Sequence, residues 1–162
     1  REALWKARKR VFGAAGRLAP SNVTQDGVIP RTKLPVVLQE IDRIVANYGL
    51  RVANVFHAGD GNLHPLLLFD ERDPEQVKGV LAASEEILKM CVANGGSITG
   101  EHGIGIEKSS YASCQFSEKD LEAMAQLKAV FDPSGLLNPG KMFPSGHGCV
   151  EVSMKKRRSV AL

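Results

Sequence analysis

Two runs with strand character flank one glycine-rich turn, and this arrangement constrains the chain more than any other feature. RVANVFHA (51–58) and LHPLLLFD (63–70) are rich in apolar and β-branched residues, and Asp60-Gly61 between them is a strong short-range hairpin signal. With Asp60 and Gly61 as the two turn residues, His57 is expected directly opposite His64. Residues directly opposed on two strands share a face, with Cβ atoms about 5 Å apart. Two imidazoles at that separation reach a common ion through metal–nitrogen bonds of about 2.1 Å. Pro65 falls just inside the second strand, where its missing N–H predicts a gap in the ladder on that side.

The flanking sequence builds a domain around this hairpin. REALWKARKRVF reads as an opening helix with an apolar stripe of Leu4, Trp5, Val11 and Phe12, and Arg8 is the one cation on that stripe. Residues 13–27 read as turn-rich, followed by a short strand at Val28-Ile29. A second helix runs from Pro35 through Tyr48 and stops at Gly49. After the hairpin, Asp73 caps a helix with Pro74 in its first turn and Gln76 in the reciprocal capping position, and Gly95 ends it. GSIT (96–99) is a short strand, and Ser117 caps a last helix carrying Leu121, Met124, Leu127 and Phe131. From residue 28 to 99 the order is strand, helix, strand, strand, helix, strand. That order predicts an α+β fold: a ferredoxin-like antiparallel sheet with helices on one face, plus a C-terminal helical segment. The domain is expected over residues 1–144, with 145–162 a flexible basic tail.

Charge and cysteine content narrow the function classes. The net charge of +3 is the balance of +4 in residues 1–10, +4 in Lys155–Arg158 and −5 elsewhere. A basic face spread over a domain, as nucleic-acid binding requires, is therefore not expected. Cys91, Cys114 and Cys149 are odd in number and lack CxxC spacing, which predicts reduced thiols and a cytoplasmic setting. No apolar run approaches the length of a membrane span. The chain opens on Arg1, which suggests a piece of a longer protein.

Two histidines are too few for a tight site, and catalytic metals usually take a third protein ligand while keeping a position open. The candidate third ligand lies in GGSITGEHGIG (95–105), where Glu101 follows a strand among glycines that let backbone approach a ligand closely. His102 beside it is a group that exchanges a proton near neutral pH. Two histidines and a carboxylate suit Zn, Mn or Fe(II). Asp60 is a rival carboxylate that the turn already accounts for, and His57 and His64 also suit a plain hairpin. GEHGIG lacks the GxGxxG spacing of a phosphate loop.

Three segments in this order, NVFHAGDGNLHP, GGSITGEHGIGIEK and FDPSGLLNPGK, resemble the carboxy-terminal part of FAD-linked 2-hydroxy-acid oxidases and dehydrogenases of the vanillyl-alcohol oxidase superfamily. The glycolate oxidase and D-lactate dehydrogenase branches are the most similar. The resemblance implies His57, His64 and Glu101 as ligands of a divalent metal and His102 as the catalytic base. It implies Arg8 as the partner of a substrate carboxylate, Asn62 as a substrate contact, and Asn138 and Lys141 near the flavin. It further implies FAD held mainly by a domain outside these residues, a small 2-hydroxy acid as substrate, and an electron-transfer partner such as an iron–sulfur subunit. A peripheral association with the membrane would then come through that partner complex. VFGAAGRLAP after the arginine helix is small and apolar, which favours a small monocarboxylate over a diacid. A cap that kept the metal ligands without a flavin domain would instead be a non-catalytic metal-binding or assembly module.

Overall fold

The computed structural model describes residues 1–144 and divides into two units, residues 1–100 and the residues from Glu101 onward. The predicted basic tail and His147 lie outside the described residues.

The first unit is built on one central strand, β4 (Asn62–Phe69), which is buried along nearly all its length. On one side it pairs with β3 (Arg51–His57), on the other with β1 (Ser21–Thr24) and β2 (Gly27–Val28), all antiparallel. Ser97 forms a single antiparallel bridge to Val28 outside them. With β1 and β2 counted as one interrupted strand, the neighbours across the sheet are Ser97, β1/β2, β4 and β3, the order of a split βαβ fold. Leu63 and Leu67 on one face of β4 pack with Val37, Ile41, Ile44 and Val45 of α3 (Leu34–Asn47) and Val80, Ala83, Ile87 and Cys91 of α4 (Pro74–Ala93). Both helices cover the same face because each carries one apolar stripe and Leu63 and Leu67 share the sheet's period of two. Leu66 and Leu68, on the opposite face, meet Ala15, Ala19, Ala53 and Val55.

Several sequence expectations are corrected. The stretch 13–27 contains β1, whose Ser21–Thr24 pair with Leu66–Phe69. Only Ser97 of the expected strand 96–99 bridges to the sheet. The opening helix is two, α1 (Glu2–Lys9) and α2 (Val11–Ala15), because Arg10 leaves helical geometry at ψ 1°. Trp5 and Phe12 are half exposed, so the stripe expected to be buried is only partly covered. Asp73 caps α4 as expected, accepting from the amides of Glu75 and Gln76. Gln76 instead bonds the Asp73 carboxylate and the Asp70 amide, so it does not reach the backbone amide that a reciprocal box would use.

The second unit carries α5 (Glu118–Phe131), capped by a reciprocal pair in which Ser117 accepts from the Asp120 amide and Asp120 accepts from the Ser117 amide. Ala112, Leu121, Ala125 and Phe143 form its core, with Phe116 and Met124 against them. Of the apolar residues that α5 carries, Leu121 is buried while Leu127 and Phe131 are exposed.

Candidate metal and substrate site

The hairpin loop is longer than two residues, and this shifts the register. His57 pairs with Asn62 and Val55 with His64, with Ala58–Gly61 forming the connection. Asp60 accepts a hydrogen bond from the Asn62 amide at 3.0 Å, and Gly61 takes φ +81°. The offset from the expected pairing is two residues, so the facing of every side chain is preserved. His57 and His64 are diagonal neighbours on the sheet face away from α3 and α4, with ring centroids 5.3 Å apart and planes at 85°. His57 nevertheless stands outside the group of close ligand atoms to which His64 belongs among the described residues, and its Nδ1 faces Arg8 instead.

His64 is buried, and its orientation is set from behind. Nδ1 lies 3.1 Å from the carbonyl oxygen of Gln25. A carbonyl only accepts, so Nδ1 carries the proton and the lone pair is on Nε2. This is the usual way a protein prepares an imidazole as a ligand, since the second nitrogen's hydrogen bond fixes tautomer and ring angle. Gln25 is itself held, its amide nitrogen donating to Ser84 of α4 at 2.8 Å.

Next to Gln25, Asp26 is fully buried. Its Oδ2 accepts from the Thr99 hydroxyl at 2.7 Å and from the Gly100 amide at 3.0 Å. Within this unit Asp26 and His64 present ligand atoms no more than 4.8 Å apart. Sequence reasoning missed both Gln25 and Asp26, because they sit in a stretch of turn residues and act through strand pairing with β4, which no local spacing reports.

Asp26 also fixes where the chain leaves the first unit. Gly100 is pinned by two bonds from its amide, to Asp26's carbonyl and carboxylate, both 3.0 Å. A Cβ there would stand 2.7 Å from Asn62 Oδ1 and 2.7 Å from Val28 Cγ2, so a larger residue would have to displace those side chains. Asn62 is buried beside it, and its Oδ1 has no hydrogen-bond partner among the described residues. A buried orphan acceptor costs about 1–3 kcal/mol unless a ligand or water completes it. Glu101 and His102 follow Gly100 directly and begin the second unit, where both are exposed and present ligand atoms within 4.8 Å of each other.

Arg8 reaches the edge of the histidine pair. Its guanidinium approaches the Phe56 carbonyl and His57 Nδ1, each at 3.4 Å. These are long, weak contacts, so the guanidinium is held near His57 without being consumed. The donor set therefore fits a divalent metal. Within the first unit it combines a buried imidazole with a preset tautomer and the buried Asp26 carboxylate, their ligand atoms within 4.8 Å of each other.

Asn138 and Lys141 lie in the second unit after α5. Asn138 adopts φ 49°, and Lys141 Nζ donates to its Oδ1 at 3.3 Å. Asp132 organises the turn before them, accepting from Lys128 Nζ at 2.6 Å and from the amides of Leu136 and Leu137 at 2.8 and 3.0 Å. The Lys128 ammonium first, and the two amides after it, hold the Asp132 carboxyl below its ordinary 3.8. A depressed folded-state pKa contributes stability above the ordinary value and loses it as pH falls through the folded one. Asp132→Asn should therefore lower the thermal midpoint near neutrality, and the gap to the parent should close below 3.8. A gap independent of pH in melting curves would show that the carboxylate's charge is not what holds the turn.

Several known proteins are similar to this chain in sequence. The glycolate oxidase subunit GlcD of Escherichia coli K12 is 50% identical over 147 residues, covering 91% of this chain and 30% of the relative. GlcD of Bacillus subtilis is 40% identical over 141 residues, 87% of this chain and 30% of the relative. A probable mitochondrial D-lactate dehydrogenase of Danio rerio is 34% identical over 144 residues, 88% and 29%. The chain thus spans less than a third of the length of these relatives. Residues 1–142 match the family described as FAD linked oxidases, C-terminal domain, and to that family the chain belongs.

Proposed function

We propose that this chain is the substrate- and metal-holding part of a flavin-dependent oxidoreductase that converts glycolate, or a similarly small D-2-hydroxy acid, to the 2-oxo acid. The observation that carries the reading is the same-face pair His57 and His64 with the Arg8 guanidinium beside it. In this reading Arg8 grips the substrate carboxylate through two parallel N–H···O bonds. His57, His64 and Glu101 hold one divalent ion (Zn, Mn or Fe), which when bound supplies the Lewis acidity that makes a hydroxyl easier to deprotonate. His102 takes the hydroxyl proton near neutral pH. Asn62 offers its amide to the substrate. FAD, held mainly outside these residues, supplies the acceptor for the hydride that leaves the substrate's 2-carbon. Asn138 and Lys141 approach the flavin from this chain's side, and residues 1–144 act together as the cap over it.

The electrons then pass to a partner, an iron–sulfur subunit or a quinone, in a cytoplasmic enzyme that meets the membrane only through its complex. No helix among the described residues is long and apolar enough to cross a membrane. Glycolate is placed before D-lactate because the GlcD relatives are the more similar, and the small apolar residues 11–20 favour either monocarboxylate over a diacid.

The test uses the full-length, flavin-loaded enzyme with a panel of 2-hydroxy acids before and after chelation. Turnover of glycolate or D-lactate should be lost with the metal and return when Zn²⁺ or Mn²⁺ is restored. Undiminished turnover in metal-free enzyme would remove the ion from the reading, and no turnover of any 2-hydroxy acid would remove the substrate class.

A further inference from the structure

Pro65 occupies a place where proline is rarely found. It lies within β4, the central strand, with β3 on one side and β1/β2 on the other. Proline in a sheet is ordinarily confined to edges and bulges, because it removes a ladder hydrogen bond. Here there is no bulge, since Thr24 opposes Leu66 and Gly27 opposes Leu63 in one continuous register. That register sets Gln25 opposite Pro65.

In an antiparallel ladder, alternate opposed residues exchange two hydrogen bonds. The first of this pair is made, Gln25's amide donating to the Pro65 carbonyl at 3.1 Å. The second would run from residue 65's amide to the Gln25 carbonyl, and proline has no hydrogen to give. The Gln25 carbonyl is the one that His64 Nδ1 takes, at 3.1 Å. The gap in the ladder and the bond that orients the histidine are one feature.

We propose that Pro65 is a positioning residue for the metal site: by withholding an N–H from the Gln25 carbonyl, it reserves that acceptor for His64 Nδ1 and so presents Nε2 to a divalent cation. The inference rests on the metal reading above. Any other residue at 65 supplies a backbone donor already aligned on the same oxygen. The imidazole then competes for the carbonyl's second lone pair, and its tautomer and ring angle are no longer fixed by that bond. The two consequences have opposite signs, because the sheet gains a ladder bond while the metal loses a preset ligand.

The experiment titrates Zn²⁺ or Mn²⁺ alone into full-length, flavin-loaded protein, comparing the parent with Pro65→Ala and Glu101→Gln. A hydrogen bond that orients a metal-binding imidazole from behind is worth about 10–100-fold in metal affinity. Pro65→Ala should therefore weaken binding by about tenfold or more, while the thermal midpoint of the metal-free protein stays level or rises. Unchanged affinity in Pro65→Ala, with Glu101→Gln weakened, overturns this inference and leaves the metal site standing. Unchanged affinity in both removes the metal site and this inference with it. A fall in both affinity and metal-free midpoint indicates general damage and also overturns it. Histidine ¹⁵N spectra of the metal-free parent give a check that needs no variant. His64 must carry its proton on Nδ1, and the Nε2–H tautomer there refutes the proposal.

Discussion

His102→Asn in the full-length enzyme should lower turnover by about 10²–10⁴-fold, the usual worth of a positioned general base. Asparagine keeps the approximate size of imidazole and its capacity to hydrogen-bond, but it accepts no proton near neutral pH. Substrate affinity should change little, because in the proposed reading Arg8 and the metal ligands hold the acid, not His102. The flavin absorbance should also be unchanged, since the cofactor is held mainly elsewhere. The decisive comparison is kcat against KM on glycolate and D-lactate, with flavin content measured in the same samples. A variant that keeps parental kcat removes His102 from the chemistry, and one that loses flavin reports a folding defect instead.

Asp26→Ala carries the second large effect, on stability and on metal retention together. The substitution leaves the part-buried Thr99 hydroxyl without its carboxylate acceptor and strips one of two acceptors from the Gly100 amide, whose bond to the Asp26 carbonyl survives. Losing charge-assisted bonds from these part-buried donors costs about 1–3 kcal/mol in total. The denaturant midpoint should fall accordingly, without a change in slope. The same bonds fix the strand end from which Glu101 and His102 follow, so metal affinity should fall by about 10–100-fold as well. Asp26→Asn, which keeps the volume and one acceptor, should fall between parent and Ala in both measurements. Stability within 0.5 kcal/mol of the parent, roughly the scatter of a neutral surface change, would show that this carboxylate does not anchor the segment.

Both predictions concern residues that differ sharply in how well local sequence reports them. His102 stands in GEHG beside Glu101, and its chemistry is legible from residue type and from the resemblance to FAD-linked oxidases. Asp26 is silent at that level. Its role comes from Thr99 and Gly100, more than seventy residues away, brought alongside by the bridge between Val28 and Ser97. Arg8 falls between the two cases. Its isolation on an apolar stripe singled it out, although that stripe is half exposed and only the placement against His57 gives the guanidinium something to do.

The alternation of the two strands determined, without coordinates, that His57 and His64 share a face, because a β-strand turns over every second residue and a register shift of two leaves facing unchanged. Apolar periodicity likewise determined that two helices cover a single face of the sheet, and capping chemistry where α4 and α5 begin. Tertiary structure alone decided which residue opposes which, since the loop of four closes as readily as the turn of two once Asp60 bonds the Asn62 amide. It alone decided that proline at 65 meets the Gln25 carbonyl and thereby sets the histidine before it. Hydrogen bonds of that kind depend on strands distant in the chain lying side by side, and the forces that bring them together are summed over the whole core.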